Sequence, residues 1–347
     1  MTPAWRLPAE WEAQAGVIIA WPHAGTDWAA RLDRVEAAYA ALAAAIARFG
    51  PLLVCVADAD IQARAARTLS GAGVDLASVR FMQVAYDDTW LRDSGPLTLV
   101  GAGGFRLLDF RFTGWGGKFA AARDDGLVEA LVAHGLFGTA DCRRIDWALE
   151  GGAIESDGKG SLLTTWRCLG QRHPDMPREQ IDARLREAFG ATRVLWLEHG
   201  ELQGDDTDAH IDTLARFAPD DAIVFQACDD PADIHHAPLA RMGRELAALR
   251  TADGRPYRLH ALPWPRAIVD GGRRLAASYA NYLIVNGAVI MPAYDDPSDA
   301  TAAGVIGAAH PGREVVAVDA REFIWQNGSV HCLTMQLPAG VLAEPFP

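Results

Sequence analysis

Two apolar runs, at residues 282–285 and 288–291, are separated only by Asn286 and Gly287. Both turn residues tolerate the left-handed backbone of a type I′ turn, so the pattern predicts a tight antiparallel hairpin. A hairpin this local has no place in a strictly alternating βαβ sheet, where each strand is followed by a helical crossover. It points to an α/β chain built from small units in which strands pair with their sequence neighbours.

The rest of the chain fits that pattern. Short apolar runs at 16–21, 52–56, 81–84, 97–100, 105–110, 194–197, 214–217 and 222–226 read as strands. Trp28, Leu32, Val35, Tyr39, Leu42 and Ile46 recur at spacings of four and three, which predicts an amphipathic helix. Thr26 or Asp27 is placed to cap it, and Gly50-Pro51 stops it. Further helices are predicted over 59–69, around Ile181, Leu185 and Phe189 with Gly190 as the stop, and over 231–249. No linker or low-complexity tract divides the 347 residues, so residues 1–347 read as one catalytic domain.

Composition excludes several classes. The formal net charge of −13 leaves no basic stripe for a nucleic acid. No apolar stretch is long enough to span a bilayer, and the start Met1-Thr2-Pro3-Ala4 lacks a secretory pattern. Five cysteines at irregular spacing, with no CxxC, argue against a disulfide framework and for a reducing compartment, hence the cytoplasm. The expected partner is a small cationic molecule, and the sequence is compatible with a homo-oligomer.

Four polar segments carry chemistry. Residues 86–96 hold Asp87, Asp88, Trp90, Arg92 and Asp93; a planar guanidinium takes paired hydrogen bonds from a carboxylate and stacks on an aromatic face. A polar loop capped by its own aspartates is the plainer reading of such a segment. Residues 109–118, rich in glycine and aromatics, are suited to a pocket wall or lid, and equally to a tight packed turn. Glu150-Gly151-Gly152 places an acid before two glycines that let backbone approach a ligand closely. In 204–214, His210 and Asp212 lie two apart and share a side if the chain is extended there. His210 would move protons and Asp212 would add a second carboxylate. Asp205, Asp206 and Asp208 resemble part of a calcium loop, but its glycine and closing glutamate are missing, so no metal is expected. Cys332, late in the chain between a Gly-Ser turn and an apolar run, reads as an exposed nucleophile at a strand start, although a lone cysteine is more often a small buried hydrophobe.

With these residues in view, the chain resembles the agmatine deiminase family of the guanidine-modifying (pentein) superfamily, next to the bacterial peptidylarginine deiminases. Residues 7–12, 19–23, 87–96, 112–118, 150–160, 205–213, 278–287 and 327–336 carry the resemblance from end to end. Ala209 departs from it, since the family usually has Gly before the histidine. The resemblance implies a five-bladed α/β propeller of ββαβ-like units around a central site. It implies Cys332 as nucleophile, His210 as general acid/base, Asp93 and Asp212 as guanidinium clamps assisted by Glu150, and Trp90 as an aromatic wall.

The implied reaction is hydrolytic deimination through a covalent Cys-thiouronium intermediate, with no metal or organic cofactor. The leading substrate is agmatine, giving N-carbamoylputrescine and ammonia for putrescine and polyamine biosynthesis. Asp87, Asp206 and Gly151 are then expected beside the substrate, with Asp206 or Asp208 at its amine end. Peptidyl-arginine or another guanidino compound is the alternative, and Arg92 or Arg111 would then meet a carboxylate. Two readings of other kinds are a Cys-His amidohydrolase and an inactive propeller used as a binding module. The first would not require three carboxylates around its cysteine, and the second would be expected to lack one of Cys332, His210, Asp93 and Asp212.

Overall fold

The computed structural model describes residues 5–343, so Met1–Ala4 of the sequence reading lie outside it. Its sheets repeat one motif. Leu97–Gly101 and Gly104–Arg111 pair antiparallel, and Asp141–Ala148 joins parallel after the helix Leu127–Ala133. Ile154–Ser156, Ser161–Thr165 and Arg193–Leu197 do the same, with the helix Arg178–Phe189 inserted. So do Ala215–Ala218, Ala222–Gln226 and Arg258–Leu262, and then Leu283–Val285, Ala288–Ala293 and Glu314–Asp319. A further sheet joins the two ends of the chain: Thr334–Pro338 lies antiparallel to Gln14–Ala20, which is followed in parallel by Leu52–Val56 and Val79–Gln83. The fold is mixed α/β, with a hairpin at the start of each of the four internal units.

Most of the locally predicted strands and helices form, with informative exceptions. The predicted hairpin forms, pairing Leu283 with Ile290 and Val285 with Ala288. Its turn is not type I′, because Gly287 has φ +76° while Asn286 is not left-handed. The Asn286 side chain exchanges hydrogen bonds with the backbone of Gln14, at 3.0 and 2.9 Å, and so fastens the hairpin to the first long strand. The first amphipathic pattern splits into a 3-10 turn Asp27–Arg31 and the helix Leu32–Ala47. Thr26 does not cap it; its hydroxyl donates to the His23 carbonyl at 2.7 Å. Val35, Tyr39, Leu42 and Ile46 are buried, as their spacing required.

Asp58 caps Ala59–Gly71 through the Ile61 N–H, and Gly190 ends Arg178–Phe189 in the left-handed region at φ 63°. The helix predicted from residue 231 starts only at His236. Asp233 explains the delay, since its carboxylate accepts from the His235 N–H, the Trp264 ring and Arg274 and holds the preceding residues in turns. No helix among the described residues is long and apolar enough to cross a membrane.

Candidate active site

Loops from separate units meet in a buried polar centre. Asp93 lies in a single helical turn, Leu91–Ser94, whose Arg92 N–H donates to the Cys332 carbonyl at 3.1 Å. A Cβ on Gly151 would stand 2.2 Å from the Arg92 carbonyl oxygen, so only glycine lets the Glu150 loop seat there. Gly152 then donates its N–H to Asp93 Oδ1 at 2.9 Å. The Trp115 indole donates to Asp93 Oδ2, also at 2.9 Å.

Unusual backbone delivers His210. Asp208 and Ala209 both have φ +69°, a region costing roughly 1–2 kcal/mol per L-residue. Asp205 stabilises the bend by accepting the N–H groups of Thr207 and Ala209, at 2.9 and 2.7 Å. Residues 211–213 form a 3-10 turn, so the extended segment expected from sequence is absent. His210 precedes that turn with φ −52° and ψ 137°, and both it and Asp212 still reach the same point. A Cβ on Gly152 would lie 2.6 Å from His210 Nδ1 and 3.1 Å from Asp212 Oδ2.

The charges alternate in sign. His210 Nδ1 is 3.6 Å from Asp93 Oδ1, and its Nε2 is 3.5 Å from Glu150 Oε2. Burial opposes a charged imidazole here, but Asp93, Cys168 and Glu150 outweigh it and raise the His210 pKa well above its ordinary value. Glu150 is in turn bound by Arg172 at 2.7 Å, and both side chains are almost wholly buried. Burial pushes the Glu150 pKa up, while His210 and Arg172 bring it below the usual range. Asp93 carries no such cation of its own; burial, with Asp212 and Glu150 nearby, raises it to about 6 despite His210.

Cys332 sits just before the strand Thr334–Pro338 and is only 3% exposed, so it is a buried pocket floor rather than the exposed thiol expected. Its sulfur receives the Asn281 Nδ2–H at 3.1 Å and lies 3.6 Å from Asp212 Oδ2. Burial raises the thiol pKa well above normal, Asp212 and Asp93 add to the rise, and the Ser329 backbone and Asn281 oppose it. The thiol opens onto a pocket of about 580 Å³ lined by Trp90, Asp93, Trp115, Lys118, Phe119 and Asn327 among others. Asp87 and Asp206 also stand on its wall. A Cβ on Gly328 would fall 2.1 Å from the Trp90 ring, so glycine there lets Trp90 close against the cysteine loop.

A family model described as Porphyromonas-type peptidyl-arginine deiminase matches residues 6–338. The chain belongs to that family. It is similar to the agmatine deiminase of Stutzerimonas stutzeri, at 36% identity over 96% of this chain and 95% of that one. Among solved structures, a substrate-bound Cys-to-Ser variant of the C. jejuni agmatine deiminase superposes with a TM-score of 0.90, at 33% identity over 97% of each chain. A Porphyromonas gingivalis protein proposed to be an arginine deiminase also gives 0.90, at 42% identity over 98% of this chain and all of the other.

Within this family member, several residues stand elsewhere than expected. Gly151 lines a separate small cavity with Arg92 and is not among the residues lining the Cys332 pocket. Arg92 is buried near Glu10, and Arg111 is exposed and paired with Asp146, so neither lines the cysteine pocket. Asp208 is bound by Arg172 and Lys118, both at 2.6 Å, which removes it as an amine-end carboxylate. Asp205 and Asp208 are thus taken by their own loop and by cations rather than arranged as a calcium loop.

The sequence reading gave no site role to Asn281, Arg172, Cys168 or His331. Glu150, Cys168 and His210 bring three ligand atoms within 4.8 Å of one another, as do Glu10, Glu155 and His331. Arginine already balances both groups: Arg172 binds Glu150, and Arg216 binds Glu10 and Glu155.

Proposed function

We propose that this protein hydrolyses the guanidinium group of agmatine to N-carbamoylputrescine and ammonia. The observation that carries the reading is the Cys332 thiol set between Asn281 and Asp212 at the floor of a carboxylate-lined pocket. Among the described residues, Asp27, Asp87, Asp88, Asp93, Asp124 and Asp206 line it against two cations, Lys118 and Arg273. Lys118 is bound by Asp208 and the Asp206 carbonyl, and Arg273 by Asn327 and the Trp325 carbonyl. A molecule with a positive group at each end suits such a wall; the carboxylate of free arginine does not.

The steps follow from the residue types. Asp93 and Asp212 grip the guanidinium, with Trp90 as the wall along the chain of the substrate. The arriving cation offsets the negative surroundings of Cys332 and favours loss of its thiol proton to water; the thiolate then attacks the guanidinium carbon. His210, as imidazolium, protonates the departing nitrogen, and ammonia leaves. The neutral His210 then takes a proton from water, which attacks the thiouronium carbon and expels the Cys332 thiolate. Glu150, held by Arg172, keeps His210 charged and oriented. Gripping and orienting a weak electrophile supplies most of the acceleration.

The reading treats the repeated hairpin-helix-strand units as blades of a five-bladed propeller and the whole chain as one catalytic domain. It places the enzyme in the cytoplasm, in putrescine and polyamine synthesis. An assay of ammonia and ureido product with agmatine, free arginine and a short arginine peptide tests it. Turnover of agmatine well above the other two is expected; turnover of the peptide with agmatine inert would move the assignment to peptidyl-arginine.

A further inference from the structure

His331 has no part in the reaction described above, yet it touches that reaction's machinery from behind. Its Nδ1 lies 2.7 Å from Asp212 Oδ2, and its Nε2 lies 2.8 Å from Glu10 Oε2. Satisfying both carboxylates takes an N–H donor on each ring nitrogen. The ring is 2% exposed, and the His331 backbone N–H donates to Asn281 Oδ1 at 3.0 Å. Asn281 is the residue whose amide reaches the Cys332 sulfur. Glu10 is held in turn by Arg216 at 2.8 Å and by the Ile284 N–H at 2.7 Å, and Arg216 also binds Glu155.

Asp212 shows what this line of charges accomplishes. Its Oδ2 is engaged by His331 and faces the Cys332 sulfur, while its fully buried Oδ1 has no hydrogen-bond partner among the described residues. An unpaired buried carboxylate oxygen is costly unless a ligand completes it. We infer that His331 is a positioning residue: anchored by Glu10, it pins Asp212 Oδ2 and so turns Oδ1 toward the guanidinium.

The inference deepens the deiminase reading and rests on it. Two substitutions separate the ring nitrogens. His331→Asn keeps an amide donor near the Nδ1 position, facing Asp212, whereas His331→Gln moves it toward Nε2 and Glu10. Agmatine affinity is measured calorimetrically in the Cys332→Ser background, where turnover does not interfere. His331→Asn is expected to stay within about threefold of the parent and His331→Gln to weaken binding roughly tenfold or more, the scale of one hydrogen bond to a charged group. In the active enzyme, His331→Gln should raise KM by a similar factor.

A purely structural role would lower thermal stability in both variants without separating their affinities, and equal affinities overturn the inference. If His331→Gln does not fold, His331→Ala takes its place: it removes the donor to Asp212 altogether, so binding clearly weaker than in His331→Asn supports the inference and equal binding overturns it. Failure of the deiminase reading looks different. The Cys332→Ser parent would then not bind agmatine at all, and the inference would fall with it.

Discussion

The Cys332 sulfur lies 3.6 Å from Asp212 Oδ2, so the thiol rests against the carboxylate proposed to clamp the guanidinium. Burial and the negative charge of Asp212 and Asp93 both favour the neutral thiol. The same carboxylates attract the cation whose arrival favours the thiolate. In the proposed mechanism the thiol therefore stays quiet toward other electrophiles until a cation enters.

That relationship predicts opposite effects of one substitution. Asp212→Asn removes a negative charge beside the sulfur, so thiolate forms more readily, and alkylation of Cys332 by neutral iodoacetamide at pH 8 should speed up about tenfold, one pKa unit. Deimination should fall about 100-fold or more, because half of the guanidinium clamp is gone. Slower alkylation in Asp212→Asn would contradict the electrostatic account of the thiol.

Substrate affinity should rise with pH. Burial raises Asp88 to about 8, with Asp27 and Asp124 adding to the rise, and Asp124 to about 7, with Asp87 adding. Asp93 stands at about 6. A cation binds the ionised forms, so affinity is low while these groups are protonated and grows as pH climbs through 6 to 8. Binding at pH 7 should release protons, which calorimetry detects as a heat that depends on the buffer's ionisation enthalpy. Proton uptake on binding would reverse the sign and refute the account.

Arg172 is expected to matter to stability as well as turnover. It is the buried cation that binds Glu150, and it also meets Asp208 and the Thr207 carbonyl, at 2.6 and 3.0 Å. Arg172→Met leaves two carboxylates without it and should cost about 3–5 kcal/mol in urea unfolding. Adding Glu150→Gln should recover part of that loss without recovering activity. A loss below about 1 kcal/mol in the single variant would show that the pair is not a structural necessity.

Ala209 has φ +69°, a left-handed conformation that suits glycine better than alanine. Ala209→Gly should stabilise the protein by about 1 kcal/mol by relieving the left-handed strain. Thermal unfolding reads this directly; destabilisation would mean that the Ala209 methyl contributes more packing than its backbone loses.

What the sequence made legible was whatever is local. The Asn286-Gly287 hairpin and the Leu52–Val56 strand follow from patterns a few residues long. Asp141–Ala148 escaped because its first half is charged and exposed, with no apolar alternation to read. Cys332, His210, Asp93, Asp212 and Glu150 were named from residue chemistry and family resemblance, and the structure gathers them. His331 stands beside Cys332 in sequence but gave no hint of a role, since its partners Asp212 and Glu10 lie 119 and 321 residues away. Asn281 and Arg172 were unreadable for the same reason. Gly151 and Gly152 are indistinguishable in sequence, and only the close approach of Arg92 to one and of His210 to the other separates their roles.

The central claim is covalent deimination at Cys332, and one measurement tests it most directly. The protein is acid-quenched during turnover of agmatine, and the peptide carrying Cys332 is weighed by mass spectrometry. The account predicts an adduct of agmatine less ammonia on that cysteine, which decays as N-carbamoylputrescine accumulates and is absent in Cys332→Ser, which makes no product. Continued product formation by Cys332→Ser, with no adduct on Cys332 in the native protein, would contradict it.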